Sequence, residues 1–585
     1  MTSFPEISTV RPRPSAQAKN IYELFAGKVF RVPDYQRMFA WSKKNWDDFW
    51  NDIKEGLLTE TEHYWGTITL QATDDMKYCR DRDTWFKVYE VVDGQQRITT
   101  IYLFLLALSN VGSRPAIKEN YIKCSDIYRL ELSSLNNKYL KSLIDGEKLE
   151  PTTKTNRLLK DALEYLEGQV KTYGIFDKLS EYIQRITFSL EFVVQNQTLA
   201  VKTFETLNDR GKPLTLLDKT KSLLMFYSYR YIKESAISDT INRAFGDILT
   251  NYDIIKEVGE RTQIDYIRGR GFSENELLRF FYHYFASYAN SKFSLQHAYF
   301  YDIAAESVFD GFIKPSCIIL KDDRTRLQGF ILEFLENFEK FVQAFKRIID
   351  RVEHDCRIKK LFSFLGLSTR VYPLIISLES EGFLDDIMLH MIESLDLRVY
   401  KVRGTEPRAD LYNFVVSQVK NTHDPTQINN NIRWFIVRFM PDSEFQAYLS
   451  RWISNNPAVK YILWEFEKQK NPVFNDCDFD FYEKLQVEHV FPVTLSFSLP
   501  AYGFDGDNEY WENIYKLGNL ILLEKNINIR VSNKAIMEKS RDYLDSNIPS
   551  TKELGFKISN YGLFKNDVSN KTSEITNFCL SKWNY

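Results

Sequence analysis

The sequence is poor in residues that crosslink, cross membranes or direct export. Its 585 residues hold six cysteines (Cys79, Cys124, Cys317, Cys356, Cys477 and Cys579), none in a C-x-x-C pair. That argues against a zinc ribbon and a disulfide framework, and makes a reducing cytosol the expected compartment. The opening MTSFPEISTVRPRP lacks the apolar core of a secretory signal. The longest apolar run, Ile101–Leu108, falls far short of the ~20 residues that span a bilayer. A soluble, cytoplasmic protein with no membrane partner is therefore expected. There is no Walker A and no G-x-G-x-x-G, so the common nucleotide-binding folds receive no support. Charge of one sign is also missing: 76 Lys and Arg stand against 79 Asp and Glu, for a net −3. Nucleic-acid binding would have to come from a local basic patch.

What is present points to packed cores. Hydrophobic residues make up 44% of the chain, and with only 23 Gly and 17 Pro it is neither collagenous nor low in complexity. At ~150 residues per domain the length suggests about four domain-sized units or fewer. The 43 Phe and 34 Tyr suit bulky helix packing, and base stacking needs only a few of them.

Periodicity then divides the chain. A helix is expected around Asn20–Ala26, an extended piece at Val29–Val32, and a helix at Lys44–Leu57 with Trp46, Phe49, Trp50 and Ile53 on one face. Two β-like runs, Tyr64–Gln71 and Trp85–Val92, flank a polar loop and lead through DGQQR into an apolar helix, Ile98–Ser109. Another β-like run, Ile186–Val194, precedes helical patterns at Leu199–Leu207 and Leu214–Tyr231. Long helical periodicities without a repeat fill 232–475, and a small mixed segment with a strand at Leu520–Leu523 closes the chain. The expected class is α+β and predominantly helical, with domains at 1–231, 232–475 and 476–585.

Four segments could carry chemistry. In Asp93-Gly94-Gln95-Gln96-Arg97, Gly94 permits close backbone approach, the helix N-terminus that follows suits phosphate, and Arg97 adds a cationic fork. The plainer reading is a strand-to-helix turn capped by Asp93. Val32–Trp41 interleaves aromatics with the polar groups of Tyr35, Gln36 and Arg37, which suits stacking on a base, or equally a surface loop. Phe204–Leu214, running on to Asp218 and Lys221, offers Arg210 and Lys212 to an anion, or is a helix connection with exposed charges. The most informative set is Glu488-His489, followed by Asn519 and Asn528. At a strand end the first two can serve one centre. Glu488 and Asn528 could hold a hard divalent cation through oxygen, while His489 activates water against phosphorus. The other histidines (His63, His283, His297, His354, His390 and His423) have no such company and are read as structural or exposed.

These segments, in this order, resemble the GmrSD-type modification-dependent restriction enzymes. The resemblance rests on PDYQRMFAW at 33–41, YWGTITL at 64–70, VVDGQQRITTI at 91–101 and FETLNDRGKPLTLLDKTK at 204–221 for an N-terminal domain of unknown function 262. VEHVFP at 487–492, LGNLILL at 517–523, and Asn528, Asn533 and Lys539 in NINIRVSNKAIMEK carry the likeness to a C-terminal domain of unknown function 1524. It implies a ParB/sulfiredoxin-like N-terminal domain, a helical middle and a C-terminal ββα-metal (HNH) nuclease domain. It further implies that Asp93, Gly94, Gln95, Gln96 and Arg97 bind a nucleotide, and that Tyr35, Gln36 and Arg37 share that pocket or sense DNA. Glu488 and Asn528 would ligate metal, His489 would be the general base and Asn519 would orient its loop. Ile529-Arg530-Val531 departs from the small polar residues commoner there.

The function so implied is a nucleotide-regulated DNA endonuclease or nickase of antiphage defence. It would need Mg²⁺ or Mn²⁺ together with GTP, UTP or ATP, and would act on modified phage DNA or marked host DNA, with a homo-oligomer possible. Two rivals are a nucleotide-dependent DNA sensor whose nuclease domain is vestigial, and an NTPase that works without DNA.

Overall fold

The computed structural model describes residues 16–33, 38–132, 134–194, 215–269, 271–295, 304–451, 453, 455–470, 474–475, 478–494 and 497–585. These form two compact units, one drawn from Met1–Asp253 and Ile313–Glu336, the other from Ile254–Phe312 and Asn337–Tyr585. Both are rich in helix, and the strands make a small mixed sheet in the first and a two-stranded ribbon in the second. Among the described residues no helix is long and apolar enough to cross a membrane.

The strands of the first unit are β1 (Ala16–Asn20), β2 (Lys28–Arg31), β3 (Tyr64–Cys79), β4 (Thr84–Asp93), β5 (Lys123–Cys124), β6 (Ile127–Tyr128), β7 (Leu130–Glu131) and β8 (Phe188–Val194). Six of them form one sheet in the order β1-β8-β3-β4-β2-β7. The β3–β4 and β1–β8 pairs are antiparallel, whereas β3–β8, β2–β4 and β2–β7 are parallel. β3 runs on to Cys79, past the polar loop expected from Asp74 and Asp75, because its far end pairs with β4 (Met76 opposite Lys87, Tyr78 opposite Trp85). There Asp74, Asp75, Met76 and Tyr78 are exposed, while Cys79, Phe86 and Val88 pack into a small separate cluster with Cys124 and Ile127, so alternation fades over the exposed stretch.

Helix Gln95–Val111 is the centre of this unit. Every residue from Ile98 to Leu108 is buried, as befits a helix that is apolar all round. Helix Lys43–Thr59 lays Trp46, Phe49, Trp50 and Ile53 into the same core, and helix Lys154–Tyr173 adds Leu159, Leu163, Leu166 and Val170. Phe49 stacks on Trp65 at 4.6 Å and meets Phe104 edge-on at 5.7 Å.

The expectation of unpaired cysteines is corrected. Cys79, closing β3, and Cys124 in β5 form a disulfide across 45 residues, with their Cα atoms 6.2 Å apart. Cys356 is disulfide-bonded as well. Pairs so far apart in sequence have no local signature, and only the folding of β5–β6 beneath the β3 end brings Cys79 and Cys124 into range. Cys317 and Cys579 are free and buried.

The second unit is helical around an aromatic core, in which Phe281 stacks on Phe338 at 4.5 Å. His283 stacks on Tyr412 at 3.9 Å, and neither ring nitrogen has a hydrogen-bond partner. Burial, helped by nearby Arg279, holds its imidazole well below the ordinary 6.5. The unfolded chain thus binds a proton that the folded chain refuses, so stability is full above about pH 6.5 and declines as pH falls below it. Urea unfolding between about pH 8 and about pH 5 should show a steeper loss for the wild type than for His283→Phe, and equal slopes would contradict this account.

Candidate functional site

In the second unit, β9 (Leu485–His489) and β10 (Leu520–Glu524) pair antiparallel, with His489 opposite Leu520 and Glu488 opposite Ile521. Helix Lys525–Val531 follows β10 directly and packs on both strands. This strand–strand–helix unit carries Glu488, His489 and Asn528, and Asn519 closes the turn Leu517–Asn519 that leads into β10.

Asn519 is the hub. It is fully buried, and its side-chain oxygen accepts from the Phe491 N–H at 2.8 Å. Its amide nitrogen donates to the carbonyls of Phe491 at 3.1 Å and Ile514 at 2.7 Å. Its own carbonyl takes the Val490 N–H at 2.9 Å. One residue thus ties the two residues after His489 to the end of helix Asp507–Ile514, Phe491 through its side chain and Val490 through its backbone. The preceding Gly518 is required by close approach: a Cβ there would run into the Val568 carbonyl and stand 2.7 Å from Thr572 Oγ1, both on helix Lys565–Lys582.

Glu488 is buried and ion-paired through Oε1 with Lys539 Nζ at 2.6 Å, and the same ammonium donates to the His489 carbonyl at 2.6 Å. Lys539 therefore clamps both members of the Glu-His pair. Burial raises the Glu488 carboxyl and lowers the Lys539 ammonium, and their mutual attraction opposes each shift. Burial, with the Lys539 charge adding to it, lowers His489 below 6.5, leaving a neutral imidazole near pH 7. Its Nε2 is buried and has no hydrogen-bond partner.

Asn528, on the helix, donates through Nδ2 to Gln486 Oε1 at 2.7 Å. Gln486 lies two residues before Glu488 on β9, hence on the same face. With its nitrogen so anchored, Asn528 presents Oδ1, again buried and without a partner. Two orphaned buried polar atoms on paired elements are unusual, since such atoms are normally satisfied, and of the two the Asn528 oxygen is of the kind a hard divalent cation takes. Among the described residues no three His, Cys, Asp or Glu side chains gather as a metal cage.

In the first unit, Gly94 has φ +92° and makes the turn into helix Gln95–Val111, and a Cβ there would come within 2.6 Å of Ile68 Cδ1. Arg97 pairs with Asp93 at 3.0 Å and donates to the Trp65 carbonyl at 3.3 Å. Gln96 accepts the N–H groups of Ala40 (2.8 Å) and Trp41 (3.2 Å) and donates to Met38 O (3.0 Å). In this conformation its amide holds a protein loop. Gln95, Gln96 and Thr99 line a narrow cleft with Val32, Pro33 and Phe39. Tyr35, Gln36 and Arg37 lie outside the described residues, as does Phe204–Leu214. Asp218 closes a capping box with Thr215, and Lys221 is buried near the Phe245 ring.

Residues 20–225 match the N-terminal domain of the GmrSD restriction endonucleases, and residues 439–575 match their C-terminal domain. The chain belongs to the GmrSD restriction endonuclease family. Both sites just described fall inside the matched segments. This GmrSD-family chain is accordingly a DNA-cleaving enzyme of phage restriction. No curated protein matches it.

Gln486 and the clamping geometry of Lys539 were not legible in the sequence of this GmrSD member. Each acts through an ordinary polar side chain whose importance lies in what it meets across 42 and 51 positions. Replacing Asn519 by Ala would leave the Phe491 N–H and Ile514 carbonyl buried without partners. A loss of ~2–3 kcal/mol is expected, readable as a lower midpoint in chemical denaturation, and an unchanged midpoint would refute the hub.

Proposed function

We propose that this chain is a divalent-metal-dependent DNA endonuclease or nickase, regulated by nucleotide and directed at modified DNA. Its reaction centre would be the strand–strand–helix unit at 485–531, of the ββα-metal (HNH) kind. The observation that carries the reading is the pair of buried, unpartnered polar atoms, His489 Nε2 and Asn528 Oδ1, on a strand and a helix that pack together.

Glu488 and Asn528 would hold Mg²⁺ or Mn²⁺ through oxygen. A bound ion of this kind stabilises charge on the phosphate and on the departing oxygen. His489, kept neutral by burial, takes a proton from water at Nε2 as the attack on phosphorus begins. Asn519 fixes the loop that follows His489, and Lys539 steadies Glu488 and the His489 backbone. Supercoiled plasmid or phage DNA with Mg²⁺ or Mn²⁺ should be cut by the wild type. His489→Ala should lose at least about a hundredfold in rate, the scale of a general base, while still binding DNA. Equal cleavage by the two proteins would sink the assignment, and no cleavage by the wild type would favour a sensor with a vestigial nuclease.

For the first unit, we infer that the turn at Asp93–Arg97 binds a nucleoside triphosphate (GTP, UTP or ATP) in a ParB/sulfiredoxin-like domain. Support comes from the left-handed Gly94, the helix N-terminus after it, and the cleft lined by Gln95 and Gln96. Arg97 would exchange its Asp93 partner for phosphate, with Tyr35, Gln36 and Arg37 bordering the pocket or sensing DNA. Arg97→Ala should weaken equilibrium binding of a labelled triphosphate about tenfold or more, and unchanged affinity would remove this role. Turnover undiminished without DNA would instead favour an NTPase.

A further inference from the structure

Beside His489 lies an aromatic pair to which no role has yet been given. Helix Asp507–Ile514 carries Trp511, which stacks on Tyr515 one turn later with ring centroids 6.3 Å apart and planes inclined by 22°. Tyr515 meets the His489 ring edge-on at 5.8 Å and 86°. Three rings thus run from solvent to the imidazole: Trp511 is 38% exposed, Tyr515 half-buried. Its neighbour Tyr510 is fully buried and donates to the Pro492 carbonyl, so the helix packs one ring inward and leaves the next open. The helix is held rigidly against the His489 loop, through Asn519 bonding both Ile514 and Phe491. Next along the chain, Lys516 donates from Nζ to Asn513 Oδ1 at 2.9 Å.

We propose that Trp511 and Tyr515 form a stacking platform for an unstacked DNA base next to the phosphodiester that His489 attacks. This rests on the nuclease reading of His489. In an intact duplex both faces of a base are covered by its neighbours, so an aromatic surface gains only from a base with a face exposed, at a frayed or extruded nucleotide. Stacking of this kind tolerates any base sequence. It would position the strand against the loop that carries His489.

The test uses synthetic DNA with 2-aminopurine scanned along one strand, whose emission falls when it stacks, and the full-length His489→Ala protein, which binds without cutting. Quenching is expected at one position, lost in His489→Ala/Trp511→Ala and partly restored in His489→Ala/Trp511→Phe. In otherwise wild-type protein, Trp511→Ala should raise KM about tenfold with kcat changed much less. Quenching that is absent throughout or indifferent to Trp511, or an unchanged KM, overturns the platform even if the wild type cuts DNA. Quenching that depends on Trp511 in a protein that never cuts DNA would uphold the platform and discard the nuclease reading.

Discussion

The second unit depends on one buried amide. Asn519 has no access to water, so each of its polar atoms must be satisfied inside the protein, and all its side-chain bonds go to backbone. A side chain that bonds only backbone fixes paths rather than identities. It sets where the chain turns after His489, where helix Asp507–Ile514 stops and where β10 begins. The imidazole, the aromatic pair and the strand pairing inherit their positions from that node. Lys539 plays the complementary part from the other side, where a single ammonium answers both the carboxylate of Glu488 and the carbonyl of His489.

The first unit solves a different problem with similar economy. Its central helix is so apolar that it must be enclosed, and Gly94 lets the chain pass from β4 into it without a side chain striking Ile68. Glycine at this turn therefore has a mechanical reason. Gln96 and Arg97 act alike: both are polar groups at a helix start, and both already hold neighbouring backbone, at 38–41 and at Trp65. Through Gln96 the turn is linked to the loop bearing Met38–Trp41.

Much of this was legible in the chain itself. Runs with clear alternation or helical period, such as Lys44–Leu57, Ile98–Ser109 and Leu520–Leu523, became elements with ends shifted by a few residues, because buried faces dominate their pattern. The polar end of β3 was missed because Asp74, Asp75 and Met76 are exposed in succession and leave no hydrophobic alternation there. The disulfide was missed because residues 45 apart share no local signal. At the C-terminal site, residue types and their order pointed to Glu488, His489, Asn519 and Asn528, yet not to the parts played by Gln486, Lys539, Trp511 and Tyr515. Those depend on which strand faces which helix, and spacing alone does not encode that.

Gly518 carries one more implication, for the order in which the molecule matures. Its backbone lies directly against Val568 and Thr572, so the turn containing Asn519 lacks one of its walls until some fifty further residues have left the ribosome. A nascent chain can pair its two C-terminal strands well before then. It cannot seat that turn. Docking of helix Lys565–Lys582 thereby completes the turn that fixes the loop after His489.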